Sequence, residues 1–288
     1  MLTTVELKSC AYGKTGVRVL KIERQGNRHY VKDIDVDIQV YGSFASAYEG
    51  GDNRCILPTD TMKNTVYAFV RQAPIGEIEC FGLRLSQHFL EHNEHFDAVR
   101  ISLAENIWDR INCEDKPHDS AFQLSSTERR MAIVENDRRR ISVQGAIRDM
   151  RVLKTAHSAF TGFMRDEYTV LAETTDRLLG TRINTEWIYN SKKCDFACVA
   201  EGVRKTLLET FAVHDSQSVQ HTLYALGQAV LEKFSCIDEI RLSMPNLHYL
   251  LVDLSPFHMN NPNEVFFPID GPSGLIEATL TRSNGLIS

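Results

Sequence analysis

Residues Ser158 to Arg177 read S-A-F-T-G-F-M-R-D-E-Y-T-V-L-A-E-T-T-D-R, and the rest of the chain is organised around them. Phe160 and Phe163 enclose Thr161 and Gly162; the acids Asp166, Glu167, Glu173 and Asp176 follow, and the stretch ends on Arg177. An arginine offers a planar fork of donors that stays protonated, and an aromatic face supplies a stacking floor. Together they suit a flat anionic heterocycle, stacked from below and gripped at its edge. The same residues also read as two core rings and a solvated ion-pair partner, the commoner fate of both residue types. The stretch alone leaves both readings open.

Outward from this stretch, the two flanks of the chain read alike. On the N-terminal side, Val17 to Ile22 is strand-like, and Ile34, Val36, Ile38 and Val40 alternate strictly with Asp33, Asp35, Asp37 and Gln39. That is a half-buried antiparallel strand with one solvated face. Glu23 to Arg28, with Gly26 and Asn27, reads as the hairpin turn between the two. A helix is expected from a cap at Asp60 or Thr61 through Val70. A second opens at Pro74, with Ile78, Phe81, Leu85 and Phe89 as its apolar stripe. Strand signals return at Val99, Ile101 and Leu103, and at Arg139 to Ile147.

On the C-terminal side, Ile183, Thr185, Trp187 and Tyr189 alternate as a strand. Asp195 is placed to cap a helix whose face carries Val199, Val203 and Leu207, and a further helix carries Leu223, Leu226, Val230 and Phe234. Ile240, Leu242 and Met244 then alternate, followed by His248, Leu250 and Val252. An antiparallel sheet with helices on one face, written twice, predicts an α+β fold duplicated in architecture. The expected division is 1–143 and 144–288.

Composition removes several functional classes. The 288 residues carry a net charge of −6, and a pI near 5.9 lacks the basic surface of a nucleic-acid binder. No apolar run approaches the roughly 18 residues of a membrane span, and no signal-peptide pattern opens the chain. The seven cysteines are odd in number and scattered, which suits free thiols in a reducing compartment. Cys194 and Cys198 form a C-x3-C pair with no second pair nearby to complete a zinc site. His88 and His92, four apart beside Glu91, Glu94 and His95, are not H-E-x-x-H and have no evident third ligand. Arg129, Arg130 and Arg138 to Arg140 are diluted by Glu128, Glu135 and Asp137 and read as a solvated hairpin face. No glycine-rich nucleotide loop precedes a helix. The ending N-G-L-I-S lacks the S-K-L type of peroxisomal address, so a cytoplasmic enzyme is expected.

The opening stretch resembles urate oxidase (uricase), whose pattern runs F-x-G-F-x-R-D-x-Y-T-x-L-x-E-T-x-D-R. The likeness continues in order along nearly the whole chain. It includes Y-G-K at Tyr12 to Lys14, T-D-T-x-K-N-T-V-Y at Thr59 to Tyr67, and S-V-Q at Ser218 to Gln220. L-S-M-P-N-L-H-Y at Leu242 to Tyr249 and N-E-V-F at Asn263 to Phe266 close the series. The resemblance implies two tandem tunnelling-fold (T-fold) domains, each an antiparallel four-stranded sheet with helices on one face. It also implies a homotetramer with active sites at subunit interfaces, and oxidation of urate by dioxygen and water without cofactor or metal.

Residue by residue, the resemblance implies a proton relay of Lys14, Thr59 and His248. Arg177 and Gln220 match the side chains that grip the substrate, Phe160 the stacking ring, and Val219 a backbone N–H to the heterocycle. Thr59 and Asp60 complete the substrate set with Asn246, which lies over the ring where dioxygen and then water are held. Taken singly, Lys14 is a solvated lysine in a glycine-flanked turn before the first strand, Thr59 a helix cap, and His248 a satisfied core histidine. Two other functions fit a flat-ring pocket: another tunnelling-fold purine or pterin enzyme such as a cyclohydrolase, and a non-catalytic purine-binding assembly.

Overall fold

A computed structural model describes residues 5–282. The chain divides into two units, Met1–Ala146 with Ser191–Ala197, and Ile147–Asn190 with Cys198–Ser288.

In the first unit, β1 (Ala11–Gln25) and β2 (Arg28–Gly42) form a long hairpin turning at Gly26 and Asn27 alone. Glu23 to Gln25 and Arg28 therefore belong to the strands, because cross-strand pairing reaches Gln25↔Arg28. Two helices follow, α1 (Ala45–Gly50) and α2 (Thr59–Gln72), then α3 (Ile78–His92). Next come β3 (Phe96–Asn106), the β4–β5 hairpin (Trp108–Cys113, Lys116–Leu124) and β6 (Arg129–Asn136). The main sheet runs β1-β2-β3-β6, with β7 (Ile141–Lys154) beside β6.

The alternation in β2 does what its period requires: Ile34, Val36, Ile38 and Val40 are all buried. Opposite them on the same face lie Val17 and Val19 of β1 and Val99, Ile101 and Leu103 of β3. α2 covers β1, and α3 covers β3 and β6, with Ile78, Phe81, Leu85 and Phe89 turned inward.

Several local expectations are corrected. Lys14 lies within β1, opposite Ile38, and not in a turn before the strand. The irregularity falls just after it, where Gly16 takes a left-handed φ of 66° and donates its N–H to Asp37 at 2.7 Å. α2 begins at Thr59, after Pro58, with no side-chain cap. Asp60 sits in its first turn and binds Lys63 and Asn64 instead. α3 begins at Ile78, four residues beyond Pro74.

The arginine cluster is a solvated face only in part: Arg139 and Arg140 are exposed, while the other three reach partners elsewhere in the fold. Arg129 pairs with Asp35, and Arg130 with the fully buried Glu79. Arg138 turns back to the carbonyls of Leu90, Asn93 and Phe96, from the last turn of α3 to the first residue of β3. Removing those orphan carbonyls from competition is the ordinary task of a cation at a helix C-terminus.

The second unit contains β8 (Leu179–Tyr189), α4 (Phe196–Val213), α5 (Val219–Lys233), β9 (Ile237–Ser243), β10 (Asn246–Leu251), β11 (Phe266–Gly274) and β12 (Glu277–Thr281). Its sheet departs from a plain four-stranded copy. β8 pairs with β9 along Asn184–Tyr189 and with β10 only at Gly180 and Thr181. The chain leaves β9 through Met244 and Pro245, and proline has no N–H to continue a ladder. α5 packs on β9 and β12 and buries Leu223, Leu226 and Val230.

The duplication shows itself in one detail that no periodicity could reveal. Arg282 caps α5 through the carbonyls of Leu231, Phe234 and Ile237. This is the same i, i+3, i+6 set that Arg138 takes at the end of α3. Each unit thus carries an antiparallel sheet, a covering fifteen-residue helix and an arginine locking that helix to its next strand. The fold is α+β, of tandem T-fold type.

Candidate active site

The expected site residues fall into two groups. Phe160, Arg177, Val219, Gln220, Asn246 and His248 belong to the second unit; Lys14, Thr59 and Asp60 belong to the first.

In the second unit the Ser158–Arg177 stretch is neither helix nor strand. Three short ties hold it. Ser158 bridges Ser216 in parallel, with the Ala159 N–H donating to the Ser216 carbonyl at 2.7 Å. Phe160 bridges Thr174 antiparallel through bonds of 2.8 and 3.1 Å. The Ser158 N–H donates to Asp176 at 3.1 Å. The loop's two ends are thereby brought side by side, and the Arg177 guanidinium stands 5.3 Å from the centre of the Phe160 ring. Phe163 stacks on Phe160 with ring centroids 4.8 Å apart. Gly162, at φ 67°, makes the bend between the two rings.

Arg177 is half-buried, and its Nε is shielded from water with no hydrogen-bond partner. Burial alone pulls its pKa below the usual guanidinium value, and no carboxylate offsets it. A partly desolvated cation with no counter-charge carries a cost in the fold that a bound anion would relieve.

Arg177 lines a cleft of about 450 Å3 together with Thr155, Asp176, Asn246, His248 and Tyr249. β10 supplies the last three of these. Gly180 lets β10 approach closely: a Cβ there would lie 2.4 Å from the Tyr249 ring. Asn263, in the left-handed region at φ 61°, also lines the cleft. Tyr249, Asp176 and Asn263 lie inside the quoted motifs but drew no assignment; Thr155 lies outside them and carries no sequence signal.

Val219 and Gln220 open α5. Ser218 caps that helix, accepting the His221 N–H at 3.1 Å. The first N–H groups of a helix have no partner within it, so Val219 can offer one to a ligand. Ser216, which is tied to Ala159, also accepts from Thr222 at 2.7 Å. The start of α5 is thereby fastened to the Phe160 strand segment.

In the first unit, Lys63 holds the Asp60 carboxyl below its usual range, and Asn64 and Lys14 add to the effect. The Lys14 charge is thus within electrostatic reach of Asp60. Tyr12, two residues before Lys14, accepts the Leu57 N–H at 2.8 Å and ties β1 to the segment leading into α2. Burial raises the Tyr12 phenol pKa, and that bond opposes the rise. Among the described residues, His88 and His92 find no third metal-ligating partner. No helix among them is long and apolar enough to cross a membrane.

Fold and cleft define a tandem T-fold protein whose second unit sets an arginine beside an aromatic ring and lines a cleft with that arginine, Asn246 and His248. The uricase family model matches residues 10–135 and 143–277. Uricase from Arthrobacter globiformis is 44% identical over 280 residues, covering 97% of this chain and 91% of that protein. Its crystal structure superposes with a TM-score of 0.94, covering 99% and 98% of the two chains. Uricase from Danio rerio is 35% identical, covering 96% and 95%. The chain belongs to the uricase family.

Proposed function

We propose that the protein oxidises urate with dioxygen and water to 5-hydroxyisourate and hydrogen peroxide. The observation that carries this reading is the half-buried Arg177 guanidinium, its Nε without a partner, which stands beside the Phe160 ring and lines a polar cleft. Urate is a flat anion with carbonyl oxygens and ring nitrogens along one edge. A guanidinium fork and the Gln220 carboxamide satisfy such an edge with directional bonds, and the Val219 N–H adds a third donor.

In this reading the electrons come from the substrate, and the chain's task is to ionise the ring, hold it flat and exclude competing reactions. Lys14, Thr59 and His248 manage the proton, and Asn246 faces the position of dioxygen and then water. Asp60, in the first turn of α2, completes the substrate-binding set with Thr59. The two groups of residues are completed into one site at the interface of subunits in a homotetramer. Cytoplasmic residence is part of the proposal. The C-terminal segment that bears on it, 284–288, lies outside the described residues.

The decisive experiment follows the loss of urate's ultraviolet absorbance and the release of peroxide, with and without a chelator. Turnover that survives the chelator supports the reading. Urate bound without peroxide would make this a binding assembly, and a strict metal requirement would favour a cyclohydrolase-like enzyme. Light scattering is expected near four times the 32.7 kDa chain. A fully active monomer would contradict the shared site.

A further inference from the structure

Directly behind Val219 and Gln220 lies a cluster that the proposed chemistry does not use. The rings of His214 and His221 stand 4.4 Å apart at 59°. His214 ends the turn after α4, its N–H bonded to the Thr210 carbonyl at 3.0 Å. His221 follows Gln220 in the first turn of α5, and its Nδ1 accepts the Gln217 N–H at 3.4 Å. An Nδ1 that accepts that bond must present its lone pair to it, and a proton on the same atom would remove the acceptor. His214 Nε2 is shielded from water and has no hydrogen-bond partner. Lys154, from the end of β7, donates its ammonium to the His214 carbonyl.

The bend these groups brace is the one that places the gripping residues. Residues 214 to 222 carry Ser216, whose backbone pairs with the Phe160 segment, and Val219 and Gln220, which face the substrate in the proposed site. We infer that His214 and His221 are a positioning pair: as neutral rings they hold the 216–220 bend in its gripping shape, and a proton on the pair loosens it. Acidification should therefore weaken urate binding through this bend, apart from any effect on the chemical step.

The groups that act on His214 all bear on the sign. Burial lowers its pKa first, then the facing His221 and Lys154; Asp215 alone opposes them. A histidine whose pKa is lowered in the fold contributes stability that is complete above its unfolded value, near 6.5, and is lost as pH falls through the folded value. The bend is thus tight at neutral pH and slackens on the acid side.

This inference rests on urate being the ligand, and its test is designed to separate the two claims. Urate affinity is measured without dioxygen, so that no turnover occurs, from pH 7.5 to 5.5. The pH step is compared between wild type and variants, which cancels the ionisation of urate itself. His221→Asn keeps an acceptor for the Gln217 N–H and cannot be protonated in this range. It should bind within about twofold of wild type at pH 7.5 and show a smaller acid step. His221→Leu removes the acceptor and should bind about fivefold more weakly even at pH 7.5, the worth of one net hydrogen bond. Hydrogen exchange at the Gln217 amide reads the bend without any ligand: its protection factor, corrected for the slower intrinsic exchange in acid, should fall in wild type on acidification, but not in His221→Asn. An unchanged acid step in His221→Asn, or wild-type affinity in His221→Leu, would overturn the inference. If no variant binds urate at any pH, the functional reading fails, and amide exchange at Gln217 still decides whether the histidines hold the bend.

Discussion

Arg177→Ala should separate binding from folding more cleanly than any other single change. The guanidinium is half-buried, its Nε lacks a partner, and burial is the only influence on its pKa. Its desolvation therefore disfavours the fold, while its approach to Phe160 at 5.3 Å recovers part of that cost. A cation over an aromatic face is worth about 0.5–1 kcal/mol where water still reaches it. The two effects oppose, so the mutant should melt close to wild type, within about 1 kcal/mol. Binding should respond differently. Truncating one side of a hydrogen-bonded charge pair costs about 2–5 kcal/mol, and the open side of this cleft favours the lower half of that range. A loss of about 2–3 kcal/mol is roughly a 30- to 150-fold rise in KM. Arg177→Lys, which keeps the charge but not the fork, should fall between. Initial rates from urate absorbance and a thermal melt give both numbers. A folded Arg177→Ala protein with unchanged KM and kcat would remove Arg177 from the site.

The relay and the acid limb of stability respond to separate substitutions. Lys14→Met should lower kcat about 10²–10⁴-fold with little change in urate affinity, the usual effect of removing a general acid–base group. Thr59→Val should do the same, and if the two act as one relay the double mutant should be scarcely worse than either; additive losses in steady-state rates would mean that they work independently. Asp33 tests the acid limb of stability. Burial raises its pKa, but hydrogen bonds from Trp108, Arg18 and Asn106 outweigh this and hold it below the usual carboxylate range. Its contribution is complete above about pH 3.9 and is lost as pH falls through the lower folded value. Asp33→Asn should therefore cost about 1–2 kcal/mol in denaturant unfolding at pH 7, and the gap from wild type should close in strong acid. An equal gap at both extremes would refute the linkage.

How much was legible in advance depended on whether the signal was local. The alternation from Asp33 to Val40 announced β2, and the stripe Ile78, Phe81, Leu85, Phe89 announced α3, because each period maps directly onto one buried face. The β4–β5 hairpin carried no such signal, since Lys116 to Ser120 are exposed on both faces and show no alternation. Glycines at 13 and 16 give Lys14 the local signature of a loop, whereas pairing with Ile38 keeps it in the strand. The partners of the arginines at 129, 130 and 138 leave no local signal, because Asp35, Glu79 and the end of α3 are distant in sequence. For the site, the motifs named the chemical groups and the resemblance supplied their roles. Only the tertiary structure decided that the Phe160–Thr174 bridge would close the loop and set Arg177 over the ring. It alone showed that Ser216 would fasten α5 to that segment, and that two histidines would meet behind Gln220. A strand or helix repeats its neighbours' geometry and so leaves a period in the sequence. A single contact between distant segments repeats nothing, and leaves no pattern until the chain has folded.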